Sequence, residues 1–306
     1  MKKMLLTGGS GMVGRNLQEH PGISEWDLYA PTSSELDLTD SIAVAAYIKS
    51  LVPDIIVHSA GKVGGIQANI NSPVTFLDQN ITMGRNVVMG GFYSGVKNLI
   101  NLASTCIYPR EAKNPLTEDL VLSGSLEQTN EGYALAKIST LRLCEYIRRE
   151  DPSFIYKSII PCNLYGRYDH FDPIKSHLLP AIVQKVYDAK MNSSDQIEIW
   201  GDGSARREFM SCGDLADILI HAASDLSQVP DLMNAGVGHD YSVLEYYQRV
   251  SDVVGWDGKF VFDTSKPKGM HQKLCDVTRL HDWGWKSNIS LERGIEIAYN
   301  YFLEIK

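Results

Sequence analysis

Four side chains able to take part in acid–base chemistry at a carbonyl group lie between residues 104 and 137. Ser104 and Cys106 come directly after the apolar run 97–103, KNLINLA, which has the pattern of a buried parallel strand. The carboxyl ends of such strands are where open α/β sheets bind ligands. Tyr133 and Lys137 are four residues apart in a segment with helical spacing, so both leave the same helix face. An ammonium beside a phenol lowers the pKa of the phenol, which predicts a tyrosine that can donate a proton near neutral pH.

A second Tyr-x-x-x-Lys pair shows that this spacing needs its structural context. Tyr93 and Lys97 have the same separation, but a glycine and the strand that follows interrupt the helix that would align them. Tyr133 and Lys137 carry weight because Ser104 and a nucleotide-binding loop accompany them.

That loop lies near the N-terminus. Residues 3–7 have the pattern of a first strand, and the seven residues that open the following helix are Gly8, Gly9, Ser10, Gly11, Met12, Val13 and Gly14. Glycines at these positions let backbone amides approach a pyrophosphate at the helix N-terminus. The alternative is a tight strand–helix turn without a ligand. The pattern favours a dinucleotide-binding loop.

The end of the second strand, predicted at 26–30, normally indicates which dinucleotide is bound. NAD-specific sites carry an acidic residue there, and an arginine accommodates the extra phosphate of NADP. Here a proline, a threonine and two serines occupy positions 31–34. These residues leave open whether the site accepts the 2′-phosphate of NADP. Arg15 and the hydroxyls are candidate partners for that phosphate.

Two further segments are predicted to line the cofactor. Asp37 and Leu38 would lie near the adenine, although a helix cap before Ser41 explains Asp37 equally well. A small-residue loop follows the third strand, 54–58, and lets the backbone pass close to a ligand. Its members are Ser59, Ala60 and Gly61.

The regular alternation of strands and helices predicts an α/β fold, a Rossmann-type doubly wound parallel sheet with a smaller C-terminal substrate lobe. We place the dinucleotide-binding domain at 1–165, with later strands contributed from the C-terminal half. Residues 166–306 form most of the interleaved substrate lobe. The helix at 73–94 and the helix of Tyr133 have apolar faces suited to a homodimer contact as well as to the sheet.

Composition narrows the function classes. A net charge of −8 argues against a nucleic acid partner, which needs a basic surface. The apolar run in MKKMLLTGG is too short for a signal peptide core or a membrane span. Five cysteines at wide spacings, without C-x-x-C, indicate neither a disulfide framework nor a metal site. A reducing cytoplasm fits this pattern best.

The C-terminal half holds further candidates. His177 begins a helix, where capping and chemistry are about equally expected. Arg206 and Arg207 follow a glycine-rich turn beside Trp200 and could hold a nucleotide diphosphate. Lys273 adds another cation near the end of the chain.

Together the motifs resemble those of one family. TGGSGMVG, SAGKVGG, STCIYP, TNEGYALAK, PCNLYG, SHLLPAIV, WGDGSARREF and KLCDVTRL occur in an order that is similar to GDP-L-fucose synthases, which are extended short-chain dehydrogenases/reductases. The resemblance covers nearly the whole chain.

The resemblance implies NADPH-dependent reduction of the C4 ketone of a GDP-4-keto-6-deoxy sugar, after epimerisation at C3 and C5. It implies Ser104, Tyr133 and Lys137 as the reductase triad, and Cys106 and His177 as the epimerisation acid/bases. The implied substrate contacts are Asn163, Lys185, Trp200, Arg207 and Lys273. From residue 137 onward, the cofactor contacts that the resemblance implies are Lys137, Pro161, Asn163, Leu164 and His177.

Three alternatives remain at this point. The loop YDHFDPIK and Lys268 depart from the family pattern where the sugar should bind, so a C4 reductase that acts on a heptose without epimerisation is the nearest alternative. A UDP-sugar 4-epimerase would retain NAD and would not need Cys106 and His177. A non-catalytic, cofactor-sensing Rossmann protein would be expected to lose part of the triad, which is intact here.

Overall fold

A computed structural model describes residues 1–172, 176–265 and 270–306. Its largest sheet has six parallel strands in the order β2–β1–β3–β4–β5–β10. These strands are β1 (Lys2–Thr7), β2 (Trp26–Tyr29), β3 (Ile55–His58), β4 (Asn98–Leu102), β5 (Ile155–Pro161) and β10 (Leu232–Ala235). Lys268 and the end of the YDHFDPIK loop lie outside the described residues.

Helices cover both faces of this sheet. They are α1 (Met12–Glu19), α2 (Ser41–Leu51), α4 (Pro73–Tyr93), α5 (Glu131–Glu150), α7 (Cys212–Ser224) and α9 (Thr278–Asp282). The short helix α3 (Ile66–Asn71) contacts α4. Alternate residues of β1 are buried on opposite sides: Met4 and Leu6 pack in one core cluster and Leu5 in the other. A strand buried on both faces is the reason for the continuous apolar runs in the sequence. The predicted doubly wound fold is confirmed.

The smaller lobe has its own core. Its helices are α6 (Leu178–Met191), α8 (Val243–Val254) and α10 (Leu291–Glu304). Its short strands are β6 (Asn163–Tyr165), β7 (Gln196–Trp200), β8 (Arg206–Arg207), β9 (Phe209–Ser211), β11 (Tyr241–Ser242), β12 (Lys259–Asp263) and β13 (Gln272–Lys273). Apolar side chains of α6, α8 and α10 pack together with β7. This core supports one wall of the candidate site.

Local contacts explain two details of the N-terminal half. Asp40, and not Asp37, caps α2 by accepting hydrogen bonds from the backbone of Ile42 and Ala43. α4 ends at Tyr93, whose ring is exposed, so the second Tyr-x-x-x-Lys pair does not share a helix face. Among the described residues, no helix combines the length and apolarity that a bilayer crossing requires.

Candidate active site

The glycine-rich loop makes a close turn between β1 and α1. Gly8 has a φ of +81°, and a Cβ there would lie 2.7 Å from the backbone nitrogen of Ala60. A Cβ on Gly14 would approach the carbonyl oxygen of Gly8 to 2.3 Å. Gly11, which precedes α1, supplies no side-chain cap. The amides at the start of α1 are therefore open to an anion, and the loop fits the pyrophosphate of a dinucleotide.

The loop after β3 lies against this turn. Ser59 donates from its hydroxyl to the carbonyl oxygen of Thr7 at 2.7 Å. A Cβ on Gly61 would lie 3.5 Å from Nζ of Lys137, so the backbone of this loop passes directly beside that lysine. The structure thus brings Ser59, Ala60 and Gly61 together with both the glycine-rich loop and Lys137.

Asn80 fixes this loop and was missed by sequence reasoning. It is buried on α4, and its Oδ1 accepts from the backbone nitrogen of Lys62 at 2.8 Å. Its Nδ2 donates to the carbonyl oxygens of Lys62 at 3.0 Å and Phe76 at 2.7 Å. The available signal was an amide side chain among apolar neighbours on the buried face of a helix.

Ser104 and Cys106 leave the carboxyl end of β4 as predicted. Ser104 caps the short helix Thr105–Ile107, and its Oγ lies 3.5 Å from the backbone nitrogen of Cys106. Ser104 is half-buried and Cys106 is buried. The hydroxyl and the thiol are therefore held on one rigid turn at the ligand-binding edge of the sheet.

Tyr133 and Lys137 share one face of α5, but the predicted effect of the ammonium on the phenol is wrong. Burial raises the pKa of Tyr133, and the nearby Cys106 thiol adds to this shift. Nζ of Lys137 lies 5.8 Å from the Tyr133 ring centroid and donates to the carbonyl oxygen of Leu102 at 2.9 Å. Burial lowers the pKa of Lys137 to about 8. Desolvation outweighs the ion–phenol attraction, so Tyr133 keeps its proton at neutral pH.

Two cations from the smaller lobe face the same point. Lys273 of β13 pairs with Arg207 of β8 in a parallel ladder, so the two side chains are neighbours. Lys273 is a cationic neighbour of the Cys106 thiol. Burial lowers the pKa of Lys273 and the pKa of Arg207. Burial raises the pKa of Cys106, while Lys273 and Lys137 oppose that rise. These charges meet around the thiol, which makes this point suitable for an anionic ligand.

Glu208 ties this region together and was also missed. It is buried, and its carboxylate accepts from the backbone nitrogens of Val237, Gly238 and Cys275, each at 2.8 Å. Its carbonyl oxygen accepts from Nδ2 of Asn163 at 2.8 Å. Glu208 directly follows Arg207, so these bonds hold the arginine-bearing strand against its neighbours. An acid directly before the apolar pair Phe209 and Met210 was the only signal in the sequence.

Arg206 does not share the role suggested for the adjacent arginine. Its Nε donates to Asp240 at 2.7 Å and its Nη2 to the Asp240 carbonyl at 2.6 Å. Arg206 therefore has a structural role. Arg207 is desolvated, and within the described residues its guanidinium makes one hydrogen bond, from Nη1 to the carbonyl oxygen of Arg206 at 2.7 Å.

Three candidates lie on α6 and β7. His177 precedes α6 but makes no side-chain cap, so the capping alternative is not supported. The residue is exposed, and desolvation by neighbouring groups lowers the pKa of its imidazole. Lys185 donates to the carbonyl oxygen of Glu198 and has a pKa lowered by burial. Trp200 ends β7 with an exposed ring.

The remaining predicted residues lie around the cofactor strands. Pro161 ends β5 opposite Ala235, and Leu164 packs against the sheet core. Asp37 is exposed and accepts from the backbone and hydroxyl of Thr39. Leu38 packs against the core behind β1.

Comparisons with known proteins identify the family of this chain. The model of the NAD dependent epimerase/dehydratase family matches residues 4–236. The chain belongs to this family. It is 52% identical over 302 residues to a GDP-L-fucose synthase of Azorhizobium caulinodans, covering 99% of this chain and 96% of that protein.

Within the epimerase/dehydratase family, the chain belongs to the GDP-L-fucose synthase group and is an enzyme that uses a nucleotide cofactor. It is 47% identical over 304 residues to a GDP-L-colitose synthase of Yersinia pseudotuberculosis, covering 99% of both chains. A GDP-mannoheptose C4 reductase of Campylobacter jejuni, solved with NADP bound, is 31% identical with a TM-score of 0.89. That alignment covers 99% of this chain and 98% of the reductase.

Proposed function

We propose that the enzyme epimerises a GDP-4-keto-6-deoxy sugar at C3 and C5 and then reduces its C4 ketone with NADPH. One observation carries the proposal: the thiol of Cys106 and the reductase triad meet at one edge of the sheet, beside the cations Arg207 and Lys273. The edge can therefore hold an anionic nucleotide sugar while serving both proton exchange and hydride transfer.

The reduction uses groups whose protonation states fit their tasks. A dinucleotide held at the glycine-rich loop would supply the hydride that C4 receives. Tyr133 keeps its proton at neutral pH and gives it to the C4 oxygen, while Ser104 donates a hydrogen bond to the same oxygen. Lys137, with a pKa of about 8, is mostly cationic at neutral pH and stabilises the negative charge that forms.

The epimerisation uses groups that are both uncharged at neutral pH. A ketone at C4 acidifies the protons on C3 and C5, so an acid and a base on opposite sides of the ring can exchange them. Burial keeps the Cys106 thiol protonated, and desolvation keeps the His177 imidazole neutral. One group thus holds a proton and the other has a free lone pair.

Several side chains would hold the substrate and the cofactor. Arg207, Lys273 and Lys185 are desolvated cations suited to the diphosphate, and Trp200 presents a ring for the base. On the cofactor side, the start of α1 faces the pyrophosphate, and Asp37 and Leu38 would flank the adenine. Lys137 also binds the nicotinamide ribose in this proposal. Asn163 would contact the sugar. The nicotinamide end of the cofactor would contact Pro161, Leu164 and His177.

NADP(H) is the proposed cofactor. The support is that a reductase of similar fold was solved with NADP bound, and that the strand end after β2 carries hydroxyls at 32–34.

We further propose a homodimer formed through α4 and α5. Val74 on α4 and Leu135 and Tyr146 on α5 are large apolar side chains with exposed surface. Sedimentation velocity should give twice the mass of one chain, and Leu135→Glu should shift it toward the monomer. A parental protein that sediments as a monomer at micromolar concentration would contradict this proposal.

The domain division and the compartment complete the proposal. Residues 1–165, joined by β10, bind the dinucleotide, and 166–306 provide most of the sugar-nucleotide contacts. The enzyme works in the cytoplasm, where its five buried, unpaired cysteines stay reduced.

The function is tested by incubating the protein with GDP-4-keto-6-deoxy-D-mannose and NADPH. We expect one NADPH to be oxidised for each sugar reduced, and NMR should show inverted configuration at C3 and C5. Reduction without inversion would support the C4-reductase alternative. A copurifying NAD that interconverts UDP-sugars, with no NADPH consumption, would support the 4-epimerase alternative.

A further inference from the structure

The loop after β2 is acidic at the point where a dinucleotide's adenosine ribose binds in this fold. Residues 31–48 contain Glu35, Asp37 and Asp40 and no lysine, arginine or histidine. Asp40 is used as the cap of α2, and Asp37 is turned toward Thr39. Only Glu35 of these three directs its carboxylate back to the end of the strand.

Two hydrogen bonds hold that carboxylate. Oε2 of Glu35 accepts from the backbone nitrogen and from the hydroxyl of Thr32, each at 2.8 Å. The backbone nitrogens of Glu35 and Leu36 donate to the carbonyl oxygen of Thr32, which closes the turn. These bonds lower the pKa of Glu35, so the exposed carboxylate is ionised at neutral pH. Its other oxygen accepts no hydrogen bond within the described part of the chain.

The turn adjoins the glycine-rich loop. A Cβ on Gly9 would lie 2.9 Å from Cβ of Ala30, so the first residue after β2 touches the pyrophosphate loop. Thr32 follows two residues later. An acid about 20 residues after the last glycine of the motif is the group that binds ribose hydroxyls in NAD sites. Glu35 has this spacing from Gly14, although it reaches the strand end through a turn.

The neighbouring cations do not offset this charge. The guanidinium carbon of Arg15 lies 3.6 Å from the ring centroid of Tyr168, so it packs toward the smaller lobe. Arg85 contacts Asn86, whose amide holds the carbonyl oxygens of Leu38 and Thr39, further along the chain.

We propose that Glu35 is a specificity-determining residue that keeps the preference for NADPH over NADH small. Its carboxylate repels a 2′-phosphate and accepts a hydrogen bond from the 2′-hydroxyl of NADH. The inference rests on the proposed function only for the identity of the reaction, because dinucleotide binding can be measured without the sugar.

The test compares Glu35→Gln, Glu35→Arg and the control Glu25→Gln. Glu25 is an exposed acid just before β2, at the opposite end of the same strand. Dissociation constants for NADPH and NADH are measured by fluorescence titration, and kcat/KM is measured with both reductants. A glutamine keeps an oxygen acceptor for Thr32 while removing the charge.

We expect the NADPH-to-NADH preference to rise about fivefold to tenfold in Glu35→Gln, as for the loss of one like charge near an exposed phosphate. It should rise further in Glu35→Arg and stay unchanged in Glu25→Gln. An unchanged ratio of dissociation constants in both Glu35 variants would overturn the inference. If the parental protein binds dinucleotides but does not turn over the GDP-sugar, the proposed function fails while the binding ratio still decides the role of Glu35.

Discussion

Replacing Tyr133 by phenylalanine removes the proposed proton donor with little effect on the fold. The ring packs edge-on against Phe76, with centroids 6.5 Å apart, and phenylalanine retains that contact. The hydroxyl makes no hydrogen bond among the described residues, so no partner is left unsatisfied. We expect the free energy of unfolding to change by less than about 0.5 kcal/mol.

The rate should respond very differently. Loss of a positioned general acid lowers the rate by about 10²–10⁴-fold, which corresponds to about 2.7–5.5 kcal/mol in the barrier. The assay follows NADPH oxidation by absorbance with the GDP-keto-sugar as substrate. Deuterium uptake at C3 and C5 from D₂O should continue, because Cys106 and His177 are unchanged.

Tyr93→Phe provides the matched control, since Tyr93 has the same spacing to a lysine but an exposed ring at the end of α4. It should reduce substrate at the parental rate. If Tyr133→Phe turns over within twofold of the parental protein, Tyr133 is not the proton donor. If it loses NADPH binding as well as turnover, the residue acts through the cofactor site and the reasoning also fails.

Three further changes have expected outcomes. Gly14→Ala should destabilise the protein by about 1–3 kcal/mol in chemical denaturation and weaken NADPH binding, because the new Cβ would approach the Gly8 carbonyl oxygen to 2.3 Å. Lys137→Met should abolish reduction yet stabilise the fold at pH 7 by about 1–3 kcal/mol, since burial lowers the lysine pKa from 10.5 to about 8 and the lost hydrogen bond to Leu102 offsets part of the gain. Cys106→Ser should slow deuterium uptake by about 10²-fold or more, measured by NMR, with unchanged NADPH affinity.

Each outcome has a contradicting result. Gly11→Ala is the control for the loop, because its Cβ would lie an ordinary 3.4 Å from the Gly8 oxygen; equal stability losses in both variants would show that crowding at Gly14 is not the cause. A lysine whose folded pKa lies below its unfolded pKa destabilises the protein while charged, and that cost disappears as pH rises from about 8 to 10.5. A stabilisation by Lys137→Met that grows over this range is incompatible with the burial argument. Parental deuterium uptake in Cys106→Ser would remove the thiol from epimerisation.

The sequence was sufficient for features set by local pattern. The strand–glycine–helix signal identified the dinucleotide loop, and the apolar runs identified the parallel strands, because burial on both faces leaves a direct trace in residue type. The resemblance of ordered motifs is the source of the prediction that Ser104, Tyr133 and Lys137 form a reductase triad.

Features set by tertiary packing were not predictable in the same way. Asn80 and Glu208 act by bonding to backbone atoms of segments distant in sequence, and no spacing rule indicates such partners. The direction of the Tyr133 pKa shift was predicted wrongly because the spacing to Lys137 is visible in the sequence but the degree of burial is not. Arg206 and Arg207 are equivalent in the sequence pattern. Their roles differ because Asp240, which is distant in sequence, binds Arg206.

The product formed from GDP-4-keto-6-deoxy-D-mannose and NADPH in D₂O, analysed by NMR, tests most directly whether this enzyme both epimerises and reduces its substrate. We expect deuterium at both C3 and C5, inverted configuration at both carbons, and protium at C4 delivered from NADPH. A reduced product with protium at C3 and C5 would contradict this expectation and leave this enzyme a C4 reductase.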